Sequence, residues 1–200
     1  MKINPFKALL ITGASGVGKG EQVKLILADF PNVFELSVSA TTRSKREYET
    51  EGKEYYFISE QKFLECKNKG LFAEWHKNDN GYYYGTLLSE LDRIAVLQKV
   101  VLIDIEVHGA LRIIEYCGQD NVFAIFIDAD DDTRRKWLQQ RNTETKESLE
   151  KRIVEGGVQR AMFAKNQTKF QLFIAATSYS IEEIFVEIRN AIEEVTAMNP

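Results

Sequence analysis

An apolar run, Ala8-Leu-Leu-Ile-Thr12, passes directly into Gly13-Ala-Ser-Gly-Val-Gly-Lys19, and no other junction constrains this chain so tightly. The run lacks polar alternation, so it reads as a strand buried on both faces. From Lys19 to Phe30 the apolar positions Val23, Ile26, Leu27 and Phe30 follow helical spacing, and Pro31 ends the pattern. A strand, a glycine-rich turn and a helix start in this order make an anion site. Backbone N–H groups converge, the helix dipole adds partial positive charge, and residues without side chains let oxygens approach. The Lys19 ammonium suits the β- and γ-phosphates of a nucleoside triphosphate. Gly13, Ala14, Ser15, Gly16, Val17, Gly18, Lys19 and Gly20 are therefore the candidate ATP-binding residues.

The same stretch, read from Thr12, also fits the TGxxxGxG turn with which short-chain dehydrogenases cradle a dinucleotide. That chemistry needs a Tyr-x-x-x-Lys pair, and none of the eight tyrosines has lysine four residues later. Lys19 and the missing pair favour the phosphate loop. A turn with no ligand leaves three glycines and a lysine without a packing rationale.

The rest of the chain alternates strand and helix. Val100–Asp104, Val122–Ile127 and Leu172–Ala176 read as further buried strands. Leu87–Leu97, Val107–Tyr116, Asp132–Gln140 and Ile181–Val195 read as helices. This rhythm predicts an α/β fold, a three-layer core around a parallel sheet within one domain spanning 1–200. Residues 1–36, 87–140 and 166–200 form the expected core. Residues 37–86 are a polar, aromatic, mainly antiparallel insert with a helix at Glu60–Lys69, and residues 141–165 are a charged helical lid. Adjacent Gly156 and Gly157 predict a bend or hinge in that lid. A net charge of −4 and a pI near 5.4 argue against a nucleic-acid partner held by a basic face. Cys66 and Cys117 have no metal-ligand neighbours in sequence and read as free thiols of a reducing compartment. The N-terminal apolar run is too short for a signal peptide, and no segment is long enough to span a bilayer, so a cytoplasmic setting is expected.

A phosphotransferase needs an acceptor site, and Leu36-Ser-Val-Ser-Ala-Thr-Thr-Arg-Ser-Lys-Arg46 supplies its signature. Arg43 and Arg46 suit bidentate contacts to a phosphate. Tyr55 and Tyr84 suit phenolic hydrogen bonds to the same group. At these residues the chain resembles the guanylate kinase family, from about Leu9 to Arg152, through GASGVGKG, SVSATTRSKR, EGKEYYF, FAEW, YYYGT, LIDIEVHG and RNTETKESLEKR in that order. The resemblance implies that Arg43, Arg46, Tyr55 and Tyr84 bind the phosphate of GMP. It implies equally that Ser39, Glu74 and Thr86 read the base, with Asp104 close to it. Guanine chemistry agrees: a carboxylate accepts from N1 and N2, hydroxyls donate to O6, and adenine would leave such groups unpaired. Arg141 and Arg152 match the family's lid arginines and, with Lys19 and Arg43, form the expected catalytic set.

The activity implied is transfer of the γ-phosphoryl group of ATP, with Mg²⁺, to GMP or dGMP. No dedicated protein metal site is expected, and the chain is a monomer or homodimer acting on nucleotides alone. A guanylate kinase-like binding module for phosphorylated ligands is the alternative. Several positions depart from the family pattern. Gly20 and Glu21 replace the hydroxyl that helps hold Mg²⁺, and Glu21 is expected to bring negative charge near the phosphates. A third lid arginine falls on Trp137, leaving Arg134 or Arg135 as substitutes. Glu47-Tyr48-Glu49 replaces a family glycine, and Ile174–Ser178 lacks the family's Asn-Asp.

Overall fold

The computed structural model describes residues 7–78, 81–140 and 145–197. In chain order, β1 (Ala8–Gly13), α1 (Lys19–Asp29) and β2 (Phe34–Leu36) are followed by β3 (Ala40–Thr41), β4 (Tyr56–Phe57), α2 (Glu60–Asn68), β5 (Phe72–Lys77) and β6 (Tyr83–Leu87). The chain continues through α3 (Leu88–Val96), β7 (Val100–Asp104), α4 (Val107–Cys117), β8 (Val122–Asp128) and α5 (Asp131–Gln140). It ends with α6 (Lys146–Lys165), β9 (Leu172–Ala175) and α7 (Ile181–Ala197).

The uninterrupted apolar runs assemble into a five-stranded sheet ordered β2-β7-β1-β8-β9, with every pairing parallel. Such runs suit strands covered on both faces, and the alternation of side chains divides them cleanly. Leu9, Ile11, Leu102, Ile125 and Ile127 pack with Val23 and Ile26 of α1 and with Ile184, Ile188 and Ile192 of α7. Leu10, Val101, Ile103 and Ala124 turn the other way, onto Ile94 of α3 and Ala110 and Ile113 of α4. The connections leaving β1 and β7 cross the sheet in opposite directions. The carboxyl ends of these two neighbours therefore make the crevice in which open α/β sheets bind ligands.

The residues between β2 and α3 build a second sheet, ordered β4-β3-β6-β5. Its β3–β6 and β5–β6 pairs are antiparallel, as expected, while β3 and β4 pair in parallel. Ser59 starts α2 by accepting a hydrogen bond from the Lys62 amide. The expected α/β three-layer core with its smaller insert is the fold observed. Within the five-stranded sheet only β2 was absent from the sequence expectation, because three residues carry too little pattern.

The expected bend or hinge at Gly156-Gly157 does not interrupt the helix. α6 runs unbroken from Lys146 to Lys165 and passes over the side chain of Arg134, which is fully buried. A Cβ at Gly156 would stand 2.1 Å from two guanidinium nitrogens of Arg134, whereas one at Gly157 would meet nothing within 4 Å. The first glycine gives passage to a buried cation and the second does not. Gly156→Ala is therefore expected to destabilise the protein by about 1–3 kcal/mol. Gly157→Ala is expected to stabilise it by about 0.5–1 kcal/mol through helix propensity. Urea unfolding of both variants checks this, and equal effects would contradict the assigned role of Gly156.

Candidate active site

The glycine-rich loop leaves the end of β1 at the crevice. Gly13 sits opposite Ile127 in the ladder with φ +142°, and a Cβ there would lie 2.1 Å from the Ile127 carbonyl oxygen. Only glycine lets the chain leave the strand at this angle. Ala14 and Val17 anchor the loop in the core with no exposed surface, and Thr12 donates to the Ile125 carbonyl at 2.8 Å. Lys19 folds back over the loop, donating to the carbonyls of Gly13 at 2.9 Å and Ala14 at 3.4 Å. Gly20, at the first turn of α1, is exposed, and a Cβ there would come no closer than 4.0 Å to Asp104 Oδ2. Glu21 is turned to solvent and paired with Lys24 at 2.8 Å. The charge expected beside the phosphates is thus committed to a surface ion pair.

Two arginines tie this loop to the later helices. Arg134 Nε donates to the Ser15 carbonyl at 3.2 Å, and its terminal nitrogens donate to the Arg152 carbonyl at 2.7 Å and to Asp131 at 3.1 Å. Arg152 itself donates to the Ser15 hydroxyl. Neither expected substitute for the third lid arginine faces the crevice as a free cation: Arg134 is buried in carbonyls, and Arg135 pairs with Glu150. Trp137 packs against the core instead. Arg141 lies outside the described residues.

Arg43 is held by a residue that stands out in the sequence only as a departure from the family pattern. Glu49 is buried and takes Arg43 in a two-pronged pair at 2.7 and 3.0 Å, while also accepting from the Arg46 amide at 2.8 Å. The guanidinium beside Glu49 holds its carboxyl below the usual range, and Glu49 raises the arginine in turn. Arg43 also lies 5.6 Å from the ring centre of Tyr55, whose ring meets that of Tyr84 at 5.9 Å. Arg43, Tyr55 and Tyr84 therefore converge as expected. Arg46 is exposed and donates to Tyr48 at 2.8 Å, turned away from that group. Burial and the charge of Asp104 push the Tyr55 phenol up to about 12. One carboxylate, at the end of β7, thus stands beside both the loop and the arginine–tyrosine cluster.

Glu74 and Thr86 meet across β5 and β6, the hydroxyl donating to Glu74 Oε1 at 2.8 Å. That bond commits the Thr86 proton to the carboxylate, and Ser39, the third residue of the expected base set, is half-buried. Glu74 is only 4% exposed, and its second oxygen is buried without a partner. Burial raises its pKa. An unsatisfied buried carboxylate oxygen works against folding and asks for a donor.

A parallel α/β sheet with a glycine-rich loop, a lysine and an arginine clamp at its carboxyl edge defines a P-loop nucleotide-binding protein. The family model described as guanylate kinase matches residues 6–195. A guanylate kinase of Prochlorococcus marinus is 39% identical over 181 residues, covering 90% of this chain and 93% of that protein. One from Mycoplasma mobile is 37% identical over 195 residues, covering 94% and 92%. The crystal structure of guanylate kinase from Anaplasma phagocytophilum shares the fold, with a TM-score of 0.68 over 96% of this chain and 86% of that one at 23% identity. The chain belongs to the guanylate kinase family.

Because burial raises the Glu74 pKa, ionising this group opposes folding. The penalty is absent below the ordinary carboxylate range and grows as pH rises through it. Glu74→Gln is expected to stabilise the protein at pH 7 by about 1–2 kcal/mol, with the gain vanishing near pH 4. Thermal unfolding across pH measures this, and a variant less stable at pH 7 would contradict it.

Proposed function

We propose that the chain transfers the γ-phosphoryl group of ATP to GMP or dGMP, giving ADP and the nucleoside diphosphate. The observation that carries the acceptor is the buried, unpartnered oxygen of Glu74, which suits the paired N1 and N2 donors of guanine. Membership of the guanylate kinase family supports both the reaction and the donor. Residues 13–20 cradle the donor phosphates, with Lys19 exchanging the carbonyls of Gly13 and Ala14 for phosphate oxygens. Arg43, Tyr55 and Tyr84 hold the acceptor phosphate, and Arg46 joins them by leaving Tyr48. Ser39, Glu74 and Thr86 line the base.

Phosphoryl transfer needs positioning and positive charge more than covalent chemistry. Arg152, already at Ser15, and Arg141 supply charge to the migrating group, with residues 141–165 as the lid and 37–86 as the acceptor insert. Closing these over the crevice excludes water and suppresses hydrolysis of ATP. Mg²⁺ supplies charge neutralisation on the donor phosphates when bound. The residues fit it in the way this ion prefers, through water and few carboxylates: Asp104 stands beside Gly20, where no hydroxyl is available. The free thiols Cys66 and Cys117 support a cytoplasmic setting. Among the described residues no helix is long and apolar enough to cross a membrane.

A coupled assay with ATP, Mg²⁺ and each of GMP, dGMP, AMP, CMP and UMP is expected to show turnover with the guanine nucleotides alone. ADP release no faster with GMP than without acceptor would sink the reading. Gly20→Ser meets no obstacle and returns a hydroxyl beside Asp104. It is expected to raise kcat/KM for Mg·ATP by about tenfold, the worth of one good polar contact. An unchanged value would mean that the hydroxyl has no role in this loop.

A further inference from the structure

Glu74 does not carry its unmet oxygen alone. Three buried atoms in one place have no hydrogen-bond partner: Glu74 Oε2, His76 Nδ1 and His108 Nε2. The chain has two histidines in all, and both are here. Glu74 and His76 are two apart on β5, which directs them to one face of the strand. His108 comes from the first turn of α4. The imidazoles meet edge-on with centroids 4.5 Å apart. One nitrogen from each ring and one carboxylate oxygen lie within 4.8 Å of one another.

Two of these atoms are acceptors with no donor beside them: the Glu74 oxygen and, through the contact described next, His108 Nε2. His108 Nδ1 lies 3.5 Å from Glu106 Oε2, so its proton belongs there and Nε2 presents a lone pair to the cluster. Glu106 is itself steadied by the Gln159 amide at 3.0 Å, and Gln159 accepts from the Val107 N–H at 2.8 Å. A carboxylate orienting an imidazole whose other nitrogen is free is the supporting arrangement of metal-binding histidines. With its proton on Nε2, His76 adds a third lone pair, and a water molecule then brings two protons for three acceptors. A divalent cation satisfies all three.

We propose that Glu74, His76 and His108 form a site for a divalent transition-metal ion of the zinc class, and that this ion and the acceptor nucleotide exclude one another. Two imidazoles and one carboxylate suit zinc, cobalt or nickel rather than magnesium, which takes oxygen ligands. Ligands of a tetrahedral ion with bonds of about 2.1 Å stand about 3.4 Å apart, so side-chain rotation has to close the widest pair by no more than about 1.4 Å. Three protein ligands leave a fourth position to water. The ion would occupy Glu74 Oε2, the atom given above to guanine. The exclusion rests on that reading; the metal site does not. It departs from the sequence expectation of no dedicated metal ligands.

The test titrates the chelator-treated full chain with Co²⁺ and, by calorimetry, with Zn²⁺, without nucleotide. The expected result is one Co²⁺ per chain, with the visible bands of a tetrahedral nitrogen–oxygen site that GMP bleaches. Zn²⁺ affinity is expected to fall about 100-fold in His76→Gln and in His108→Gln, with circular dichroism unchanged. If a variant unfolds, protection of the wild-type histidines by Zn²⁺ against carbethoxylation carries the same test. The metal site is overturned by no saturable uptake, by thiolate charge-transfer bands placing the ion on Cys66 or Cys117, or by unaltered affinity in both variants. Co²⁺ bands that persist while GMP is shown to bind overturn the exclusion. Failure of GMP to bind at all counts against the proposed function and leaves the metal result standing.

Discussion

The guanidinium of Arg134 is where the loop, α5 and α6 are joined. It is fully buried, and it is tolerable there because the carbonyls of Ser15 and Arg152 and the carboxylate of Asp131 accept its protons. Removing a partner from a buried charge typically costs about 3–5 kcal/mol, so these groups are bound to keep their places together. The helix above it must have no side chain at one position, and Gly156 meets that demand. Leu138, Leu149 and Ile153 pack beside the same junction. The position of Arg152 at the Ser15 hydroxyl follows from this arrangement rather than from its own contact alone.

A second dependence runs through Asp104. β7 pairs directly with β1, which sets its terminal carboxylate at the side of the loop where α1 begins. The same charge reaches Tyr55, which belongs to the smaller sheet. The donor loop and the proposed acceptor cluster are therefore linked electrostatically before any ligand arrives. The phenol is kept protonated, as a hydrogen-bond donor, by burial and by that neighbour.

Most of the sheet was legible in the sequence because β1, β7 and β8 are buried on both faces and read as unbroken apolar runs. The run at Leu172 is a strand as expected but not a buried one: β9 is at the sheet's edge, with Phe173 52% exposed. β2 was not, since Phe34-Glu-Leu36 gains its strand state from pairing with β7 rather than from its own pattern. The loop and the Arg43–Tyr55–Tyr84 group could be read because residue types and order carry them. The glycine pair in α6 was misread: propensity speaks of helix stability, while the need for Gly156 comes from a side chain in another helix. Glu49 was visible as a departure but not as the group that aims Arg43. The meeting of His76 with His108 depends on how α4 lies against β5, which no local pattern encodes.

The Arg43–Glu49 pair has a consequence for how fast ligands arrive. The two charges cancel at a distance, so the guanidinium offers direction at close range with little field beyond it. The chain as a whole is acidic, at −4. An anionic nucleotide is therefore not drawn in from afar, and the pair contributes through the lifetime of the complex rather than the rate of encounter. Added salt is therefore not expected to slow association with such a site, because there is little long-range attraction for it to screen.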